Sequence, residues 1–443
     1  MQTDLKHYLK LFSEKIFNEL KNNEDLSLNL HSEESDFVRF NQSKVRQNTS
    51  VNQHELTFVY QSDQRQYKMI FNLTLDMERD IKFAQNKLAE IRYELPKTDI
   101  NPKFSEMQNN GISEVYQKSE RPQSTEIIQA IYSSFADCDL AGFWCSGPIR
   151  QASLNSKGQF HFFENDSFFF DYSLYNGPRA AKGFFSEPHW NEKSFIKEAQ
   201  QTKNTLSLLS KPPVKVKPAA YRSYLAPMAV AELMGMFYWR ALSRSMYEQG
   251  YAPLKKLNEK EKVFSKEFNL VENNKLGLDS HFNSLGELVP DQISIIEGGQ
   301  LKNFLISTAT AKEFSLISNQ AEPSETLRSP EIRAGTLDNS EILKTLAQGL
   351  YLSNLHYINW SDAQAARITG MTRFACFWVE NGEIVGPIQD LRFDDTLYNI
   401  WGQHLLGLTK TQQIFTNTST YGRREKGGMK VPGALLREFN FTL

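Results

Sequence analysis

The chain has little of what several common functional sites require. It has three cysteines, Cys138, Cys145 and Cys376, which are too few and too scattered for a disulfide framework or a paired-cysteine metal site. A small, odd number of cysteines is typical of proteins from a reducing compartment. We therefore expect a cytoplasmic location.

The eight histidines are poorly placed for metal binding, because none has a second histidine three to five residues away. A zinc-binding helix needs two histidines at such a spacing. His54-Glu55 begins like a zinc-peptidase signature but continues as an apolar alternating segment, so we interpret His54 as an exposed strand residue. Cys376 lies in the apolar segment 374–378, which predicts a core thiol and not a nucleophile.

Motifs for nucleotide binding and serine hydrolysis are absent as well. The sequence has no GxGxxG between a strand and a helix, no GxxxxGK[ST] and no GxSxG. A formal net charge of -2 gives no basic field that would attract nucleic acid. No uninterrupted apolar stretch reaches about eighteen residues, and the N-terminal segment lacks an apolar signal region. We expect a soluble protein without a nucleic-acid or membrane partner.

The 443 residues, 40% hydrophobic and 23% charged, are enough for two or three domains. We predict an α+β fold of three consecutive units with antiparallel sheets and flanking helices, over residues 1–96, 97–211 and 212–443. In the first unit, helical periodicity over 5–20 is followed by alternating segments and a second helix over 76–95, which Pro96 ends. The alternating segments are 27–30, 37–40, 56–60 and 67–75.

The second unit begins with a polar linker at 97–121 and continues with a short helix and a hairpin whose turn is at 155–158. Six phenylalanines follow the turn, and we interpret them as the packed face of this hairpin because no basic residues alternate with them. The proline-rich connector 211–218 opens the third unit. There the pattern predicts a helix over 227–248 ended by Gly250, and then mainly strands, with helices near 340–350 and 395–406.

Four segments share their pattern with one protein family. The longest is a glycine-rich turn at 370–373, followed by Phe-Trp-Val-Glu-Asn-Gly-Glu-Ile at 377–384 and Leu-Arg-Phe at 391–393. The others are the strand at 37–47, the turn at 153–158 and the closing segment at 431–436. In their order along the chain, the four segments resemble those of the TldD/PmbA family, whose PmbA branch is also called TldE. The resemblance implies the same α+β architecture over the whole chain.

The resemblance also implies where a zinc site would lie. In the active branch of the family, the helix that opens the C-terminal domain carries HExxxH, and a cysteine near the C-terminus completes the site. Gly235, Met236 and Trp239 stand at the motif positions here, and segment 420–423 lies where the cysteine would be. Because glycine and tryptophan cannot bind the ion, we expect no catalytic or metal-binding residue in this chain, and zinc only in a partner subunit. Glu232 lies one turn earlier, where a lone glutamate is usually a surface or capping residue.

Two functions follow from the resemblance. The first is the non-zinc, TldE-like subunit of a TldD/TldE-type metallopeptidase complex, which binds an unstructured peptide as an added strand at a sheet edge. The second is a stand-alone homodimeric peptide-binding or maturation factor without hydrolysis. An active metallopeptidase with an unrecognised site is a third, weaker alternative. The first two imply a dimer, either of identical chains or with a zinc-bearing TldD-like subunit.

The candidate peptide- or partner-binding residues are Gly370, Thr372 and Arg373, which the sequence places in a loop before a buried strand. A guanidinium at this position could hold a peptide carboxylate or an acidic group of a partner. The alternative is a structural ion pair of Arg373 with Glu380 or Glu383.

Overall fold

The structure, a computed structural model, describes residues 4–100 and 104–442. The α-helices are α1 (Leu5–Phe17), α2 (Met77–Glu94), α3 (Ser124–Phe135), α4 (Glu192–Leu208), α5 (Pro227–Met236), α6 (Arg244–Glu248), α7 (Lys255–Asn258), α8 (Thr308–Phe314) and α9 (Ile342–Leu346). None of these described helices has the length and apolar character needed to cross a membrane.

The strands in the N-terminal half are β1 (Asp25–Asn41), β2 (Lys44–Ser62), β3 (Arg65–Asn72), β4 (Ile112–Gln117), β5 (Asp139–Asn155), β6 (Phe160–Asn176) and β7 (Arg179–Phe185). Those in the C-terminal half are β8 (Ala220–Leu225), β9 (Leu270–Asn273), β10 (Gln292–Glu297), β11 (Gln300–Leu301), β12 (Pro330–Ile332), β13 (Gly349–Leu352), β14 (Asn354–Asp362), β15 (Arg367–Arg373), β16 (Phe377–Glu380), β17 (Glu383–Pro387), β18 (Arg392–Thr396), β19 (Leu405–Thr416) and β20 (Gly428–Asn440).

The seven N-terminal strands form one sheet in the order β3-β2-β1-β5-β6-β4, with β7 paired to β6. Its pairs are antiparallel except for β4 with β6. Because β1 pairs with β5, the predicted boundary at residue 96 falls between strands of the same sheet. The segments predicted at 27–30 and 37–40 belong to the single strand β1. Buried polar residues such as Ser32 and Glu33 lie between them and hide the apolar alternation.

The predicted linker 97–121 contains strand β4, which the sequence analysis missed. β4 lies at an edge of the sheet, and no residue in it is fully buried. A strand without a buried face lacks the alternating apolar signal from which strands are predicted.

Two pairs of helices cover the N-terminal sheet. The predicted helices α1 and α2 are confirmed, and Asp4 and Asp76 cap them by accepting backbone N–H groups. Their apolar residues share a core with β1, β2 and β5, whereas α3 and α4 pack into a second core with the aromatic residues of β5 and β6.

The hairpin of β5 and β6 is confirmed. In its turn, the side-chain oxygen of Asn155 accepts the backbone N–H groups of Lys157 and Gln159, and Gly158 adopts a φ of +93°. The six phenylalanines that follow are all buried, as expected for a packed hairpin face: Phe160, Phe162, Phe163, Phe168, Phe169 and Phe170.

The C-terminal half contains a ten-stranded sheet in the order β11-β10-β9-β12-β20-β8-β13-β16-β17, with β19 paired to β20. A separate three-stranded sheet has the order β14-β15-β18. Helix α5 packs against β14 and β20, and its apolar residues belong to the largest core of the protein. The expected mixture of helices with mainly antiparallel sheets is therefore confirmed.

The long helix predicted over 227–248 is wrong in its length, because α5 ends at Met236. A kink follows in which Trp239 leaves the helical conformation and Arg240 adopts a φ of +70°. Ser243 then caps a second, short helix and donates a hydrogen bond of 2.6 Å to buried Glu325. This long-range anchor cannot be seen in the local apolar periodicity. The helices predicted near 340–350 and 395–406 are likewise reduced to single turns or short helices.

Candidate functional site

A cavity of about 550 Å³ lies where the N-terminal sheet meets the C-terminal half. Its walls come from α5, from β6 and β7, from the segment 326–328 before β12, and from the connection between β19 and β20. We call residues 417–427 of that connection the 417–427 loop. The volume lies in the usual range for small-ligand sites.

Helix α5 borders the cavity and carries two of the three degenerate zinc-motif positions, Gly235 and Met236, whereas Trp239 lies in the kink that follows the helix. Counted from Gly235, the HExxxH spacing ends at Arg240 and not at Trp239. Met236 is 3% exposed and belongs to the core, whereas Trp239 is 45% exposed. Gly235 is exposed, and a Cβ added there would meet no atom within 4 Å. Their side chains supply no imidazole, carboxylate or thiolate, so they do not fit the donor set that zinc prefers. Over residues 4–100 and 104–442, no group of three or more His, Cys, Asp or Glu side chains is arranged to hold a metal ion.

Glu232 projects from α5 into the cavity, one turn before the degenerate positions. It is open to solvent from the cavity, and within the described part of the chain its carboxylate forms neither a hydrogen bond nor an ion pair. The protein around it raises the pKa of Glu232 by burial, an effect that nearby Lys182 opposes and Asp171 reinforces. Lys182 itself is paired with Asp171 across β6 and β7. From the sequence, Glu232 was interpreted as a surface or capping residue. It is exposed, and the surface on which it lies is the wall of the cavity.

A buried cluster of charges forms the opposite part of the wall. The carboxylate of Asp279 forms an ion pair of 2.6 Å with Arg328 and a second ion pair with Lys426 of the 417–427 loop. The two cations hold the pKa of Asp279 below its usual range against the effect of burial. Behind them, burial raises the pKa of Glu272 to about 7, although its carboxylate accepts the backbone N–H groups of Arg328 and Ser329.

The 417–427 loop crosses to the N-terminal sheet and is anchored there by Arg424. Arg424 is 2% exposed and donates hydrogen bonds of 2.9 Å to the carbonyl of Gly147 and to Ser167. Its backbone N–H donates to Glu33 at 3.1 Å, and burial lowers the pKa of its guanidinium. Gly147 has a φ of +131°, and a Cβ added there would clash with the carbonyl oxygen of Glu34. A side chain at this position would therefore disturb the anchor. The loop that lies where the family's cysteine would be is therefore a fixed part of the wall.

The predicted binding residues Gly370, Thr372 and Arg373 lie outside the residues that line this cavity. They belong to strand β15 and not to a loop. Gly370 is buried, and a Cβ there would come within 2.6 Å of the Phe393 ring. Thr372 is 1% exposed and pairs with Leu391, accepting its N–H through Oγ1 at 2.8 Å.

Arg373 ends β15 with an exposed side chain whose guanidinium lies 5.2 Å from the Phe374 ring. Neither Glu380 nor Glu383 forms an ion pair with it in the described residues. The structural alternative considered from the sequence therefore lacks its expected contact, and a binding role for Arg373 remains a prediction.

Two further residues that the sequence singles out, His54 and Cys376, are both buried. His54 lies on β2 as expected, but it is 5% exposed and its Nδ1 lies 2.8 Å from the hydroxyl of Ser32. Cys376 is confirmed as a core residue, and burial raises the pKa of its thiol.

The charged residues of the cavity wall, apart from Glu232, were not predicted from the sequence. Asp171 follows three phenylalanines and Lys182 follows two alanines, so each is a charge that interrupts an apolar strand. Such an interruption is a signal of a paired or functional charge. Arg328 and Lys426 stand in irregular segments, and only the fold brings them to Asp279.

Three solved structures share this architecture over nearly the whole chain. A putative modulator of a DNA gyrase from Thermotoga maritima is 15% identical, with a TM-score of 0.78 over 98% of this chain and 100% of that one. TldE from Thermococcus kodakarensis is 16% identical, with a TM-score of 0.77 over 99% of each chain. A putative modulator of DNA gyrase from Bacteroides thetaiotaomicron is 15% identical, with a TM-score of 0.77 over 100% of both chains. At these identities the likeness establishes the fold.

The C-terminal half establishes the family. Residues 218–443, more than half of the 443-residue chain, match the model of the PmbA/TldA metallopeptidase C-terminal domain. No curated protein gives a significant match. The chain belongs to the PmbA/TldD family, as its sequence resemblance predicted.

Proposed function

We propose that this chain is the non-zinc, TldE-like subunit of a TldD/TldE-type metallopeptidase complex, in which it binds unstructured peptides. The observation that carries the proposal is the face of α5. This helix borders a cavity of about 550 Å³ through Met228 and Glu232. The motif positions Gly235, Met236 and Trp239 follow along the chain, lie outside the cavity lining and carry no metal-binding side chain. The support for the proposal is thus a cavity beside this helix without the metal ligands of the active branch.

Strand β7 supports a peptide-binding role. It contributes Lys182 and Phe184 to the cavity wall, and among the described strands it pairs only with β6. The carbonyl of Phe184 accepts a hydrogen bond of 3.1 Å from the side chain of Gln413, so a peptide strand would pair with the other backbone groups of β7 or displace this contact. An edge strand can accept an extended peptide through backbone hydrogen bonds, and neighbouring pockets then select side chains. Phe184 and Phe415, whose ring centroids are 5.2 Å apart, give this part of the cavity an apolar surface.

The proposed division of labour assigns no hydrolytic step to this chain. Zinc in the partner subunit would activate the water, and the present chain would hold the peptide in an extended conformation. The stand-alone homodimeric binding factor differs from this proposal only in its partner and in the absence of cleavage. The two are therefore separated by assembly and activity measurements.

The test mixes the purified chain with a zinc-bearing TldD-like protein from the same source. Light scattering should report a 1:1 complex, and an unfolded peptide should be cleaved by the mixture but not by this chain alone. A chelator should abolish the cleavage, and elemental analysis of this chain alone should find no stoichiometric zinc. A mass that stays at the 51.0 kDa of the monomer after mixing would overturn the proposal. A stable homodimer that binds peptide but ignores the TldD-like protein would favour the alternative.

A further inference from the structure

The acidic residues that line the cavity outnumber the basic ones. Four acidic residues line it against three basic ones. Each of the three basic residues pairs with an acidic lining residue: Lys182 with Asp171, and Arg328 and Lys426 with Asp279. Glu322 also lies 3.8 Å from Arg328. Glu232 is the one acidic lining residue for which the described chain provides no partner.

The Glu232 carboxylate is exposed to solvent within the cavity, so water hydrates it in the absence of a partner. The cavity wall around it nevertheless raises its pKa. The pairing of Lys182 with Asp171 leaves that ammonium only a distant interaction with Glu232. A cation entering the cavity would restore the balance of charge, whereas an anion would meet an unopposed carboxylate.

Aromatic side chains complete the surroundings. Phe184 and Phe415 contribute apolar surface, and Tyr238 is held by a hydrogen bond of 3.2 Å from its hydroxyl to the carbonyl of Gly428. A carboxylate together with aromatic faces is the chemistry that recognises an organic ammonium. A divalent metal ion would need several oxygen ligands, and Glu232 is not part of any such group among the described residues.

We propose that the cavity binds a primary ammonium group through Glu232. The inference rests on the proposed peptide-binding role, and it specifies which part of the peptide the cavity takes. Two sources carry this chemistry, the free amino terminus of a peptide and the side chain of a lysine. Both place a protonated amine at the end of an apolar or flexible segment, which the part of the cavity wall formed by Phe184 and Phe415 would contact.

The experiment compares the unaltered chain with Glu232→Gln by isothermal titration calorimetry at pH 7, where a peptide α-amino group, whose ordinary pKa is about 7.7–8.0, is mostly protonated. The small-molecule probes are benzylamine and, as its uncharged counterpart, benzyl alcohol. Three unstructured hexapeptides of otherwise matched sequence distinguish the sources: a lysine-free peptide with a free amino terminus, its acetylated form, and an acetylated form with one lysine. The control variant is Glu297→Gln, an exposed change on β10 outside the cavity lining.

Glu232→Gln should weaken benzylamine binding about tenfold, as expected for the loss of one charge-assisted contact of about 1.4 kcal/mol. Benzyl alcohol binding and the behaviour of Glu297→Gln should not change. Weakening confined to the free-amino-terminus peptide would identify the terminus as the ligand, and weakening confined to the lysine peptide would identify the side chain.

Benzylamine that fails to bind, or that binds Glu232→Gln equally well, overturns the inference. If the hexapeptides bind regardless of their amines, the peptide-binding function stands and the ammonium site does not. If benzylamine binding depends on Glu232 but no hexapeptide binds, the ammonium site stands and the proposed function fails. Crystallographic placement of benzylamine against another part of the chain would equally remove the proposal.

Discussion

The cavity wall and the three-stranded sheet β14-β15-β18 differ in how their side chains are used. The three-stranded sheet carries the first part of the longest family motif, 370–373, and most of its last part, 391–393, and its Gly370 and Thr372 are buried against Phe393 and Leu391. The cavity wall carries no such motif, but it exposes Glu232 and assembles ionisable groups from both halves of the chain. The comparison teaches that in this chain the recognisable motif residues build the scaffold, whereas the candidate binding groups are residues that no motif marks.

The largest expected effect comes from the buried charges of the cavity wall. Asp279→Ala should lower the free energy of unfolding by about 3–5 kcal/mol, because it leaves Arg328 and Lys426 buried without their shared counter-charge. Urea unfolding monitored by circular dichroism measures the change. The control is Glu341→Gln, whose exposed pair with Lys344 spans 3.1 Å and should cost below about 1 kcal/mol. A small loss for Asp279→Ala would show that this wall is not held by its charges.

The next largest effect is a pH dependence of the free energy of unfolding, which comes from His281 beside this charged cluster. His281 donates to or accepts from Ser113 at 2.6 Å, and burial, with smaller contributions from His161 and Arg328, lowers its pKa from 6.5 to about 4. Since the folded state binds the proton less tightly than the unfolded state, the stabilisation is fully present above pH 6.5 and is lost as the pH falls towards 4. A difference of two to three pKa units corresponds to roughly 3 kcal/mol.

The measurement compares the free energy of unfolding of the unaltered chain and of His281→Gln between pH 7.5 and 4.5. The difference between the two proteins isolates His281 from the other groups that titrate, including Glu272, whose raised pKa has the opposite dependence. The acid loss should be smaller in the variant. Parallel curves for the two proteins would contradict the expected shift of His281.

How far the sequence could predict these two regions follows from the range of the interactions. Helices α1 and α2 and the β5-β6 hairpin depend on local periodicity, caps and a turn, and they were predicted closely. The kink after α5 depends on Glu325, far away in the sequence, and was missed. The cavity is harder still, because Lys182 and Lys426 become neighbours of the same space only when the sheet and the 417–427 loop meet. Resemblance predicted the family and the helix at the site, but not the residues that line it.

Replacement of a glycine by alanine should have opposite effects on stability in the two regions. Gly370→Ala should destabilise the protein by about 1–3 kcal/mol, because its Cβ would lie 2.6 Å from Phe393 and 3.0 Å from the carbonyl of His356. Gly235→Ala should stabilise it by about 0.5–1 kcal/mol, because α5 leaves open space there and alanine favours helix. Thermal or urea unfolding of the two variants gives both signs directly. If both changes are neutral, the contrast in packing between the regions is smaller than the structure indicates.

The smallest expected effect concerns Arg373, the one exposed member of the predicted binding set. Arg373→Ala should change the free energy of unfolding by less than about 0.5 kcal/mol, because the side chain is exposed, lies over the Phe374 ring and pairs with no acidic residue of the described chain. The matched control is Arg367→Ala on the same strand, which removes an exposed ion pair of 3.2 Å with Asp394. Urea unfolding provides the stability comparison.

Measurements of assembly and peptide cleavage then test whether Arg373 contacts a peptide or an acidic group of the partner. If the variant keeps its stability and its complex with the TldD-like subunit but the mixture loses peptide cleavage, Arg373 contacts the peptide, and the three-stranded sheet is a second binding surface beside the cavity. If the complex itself weakens, Arg373 meets an acidic group of the partner. Unchanged stability, assembly and cleavage would remove Arg373 from the binding set. The family motif around β15 would then be explained by packing alone, since Gly370 and Thr372 are already engaged inside the protein.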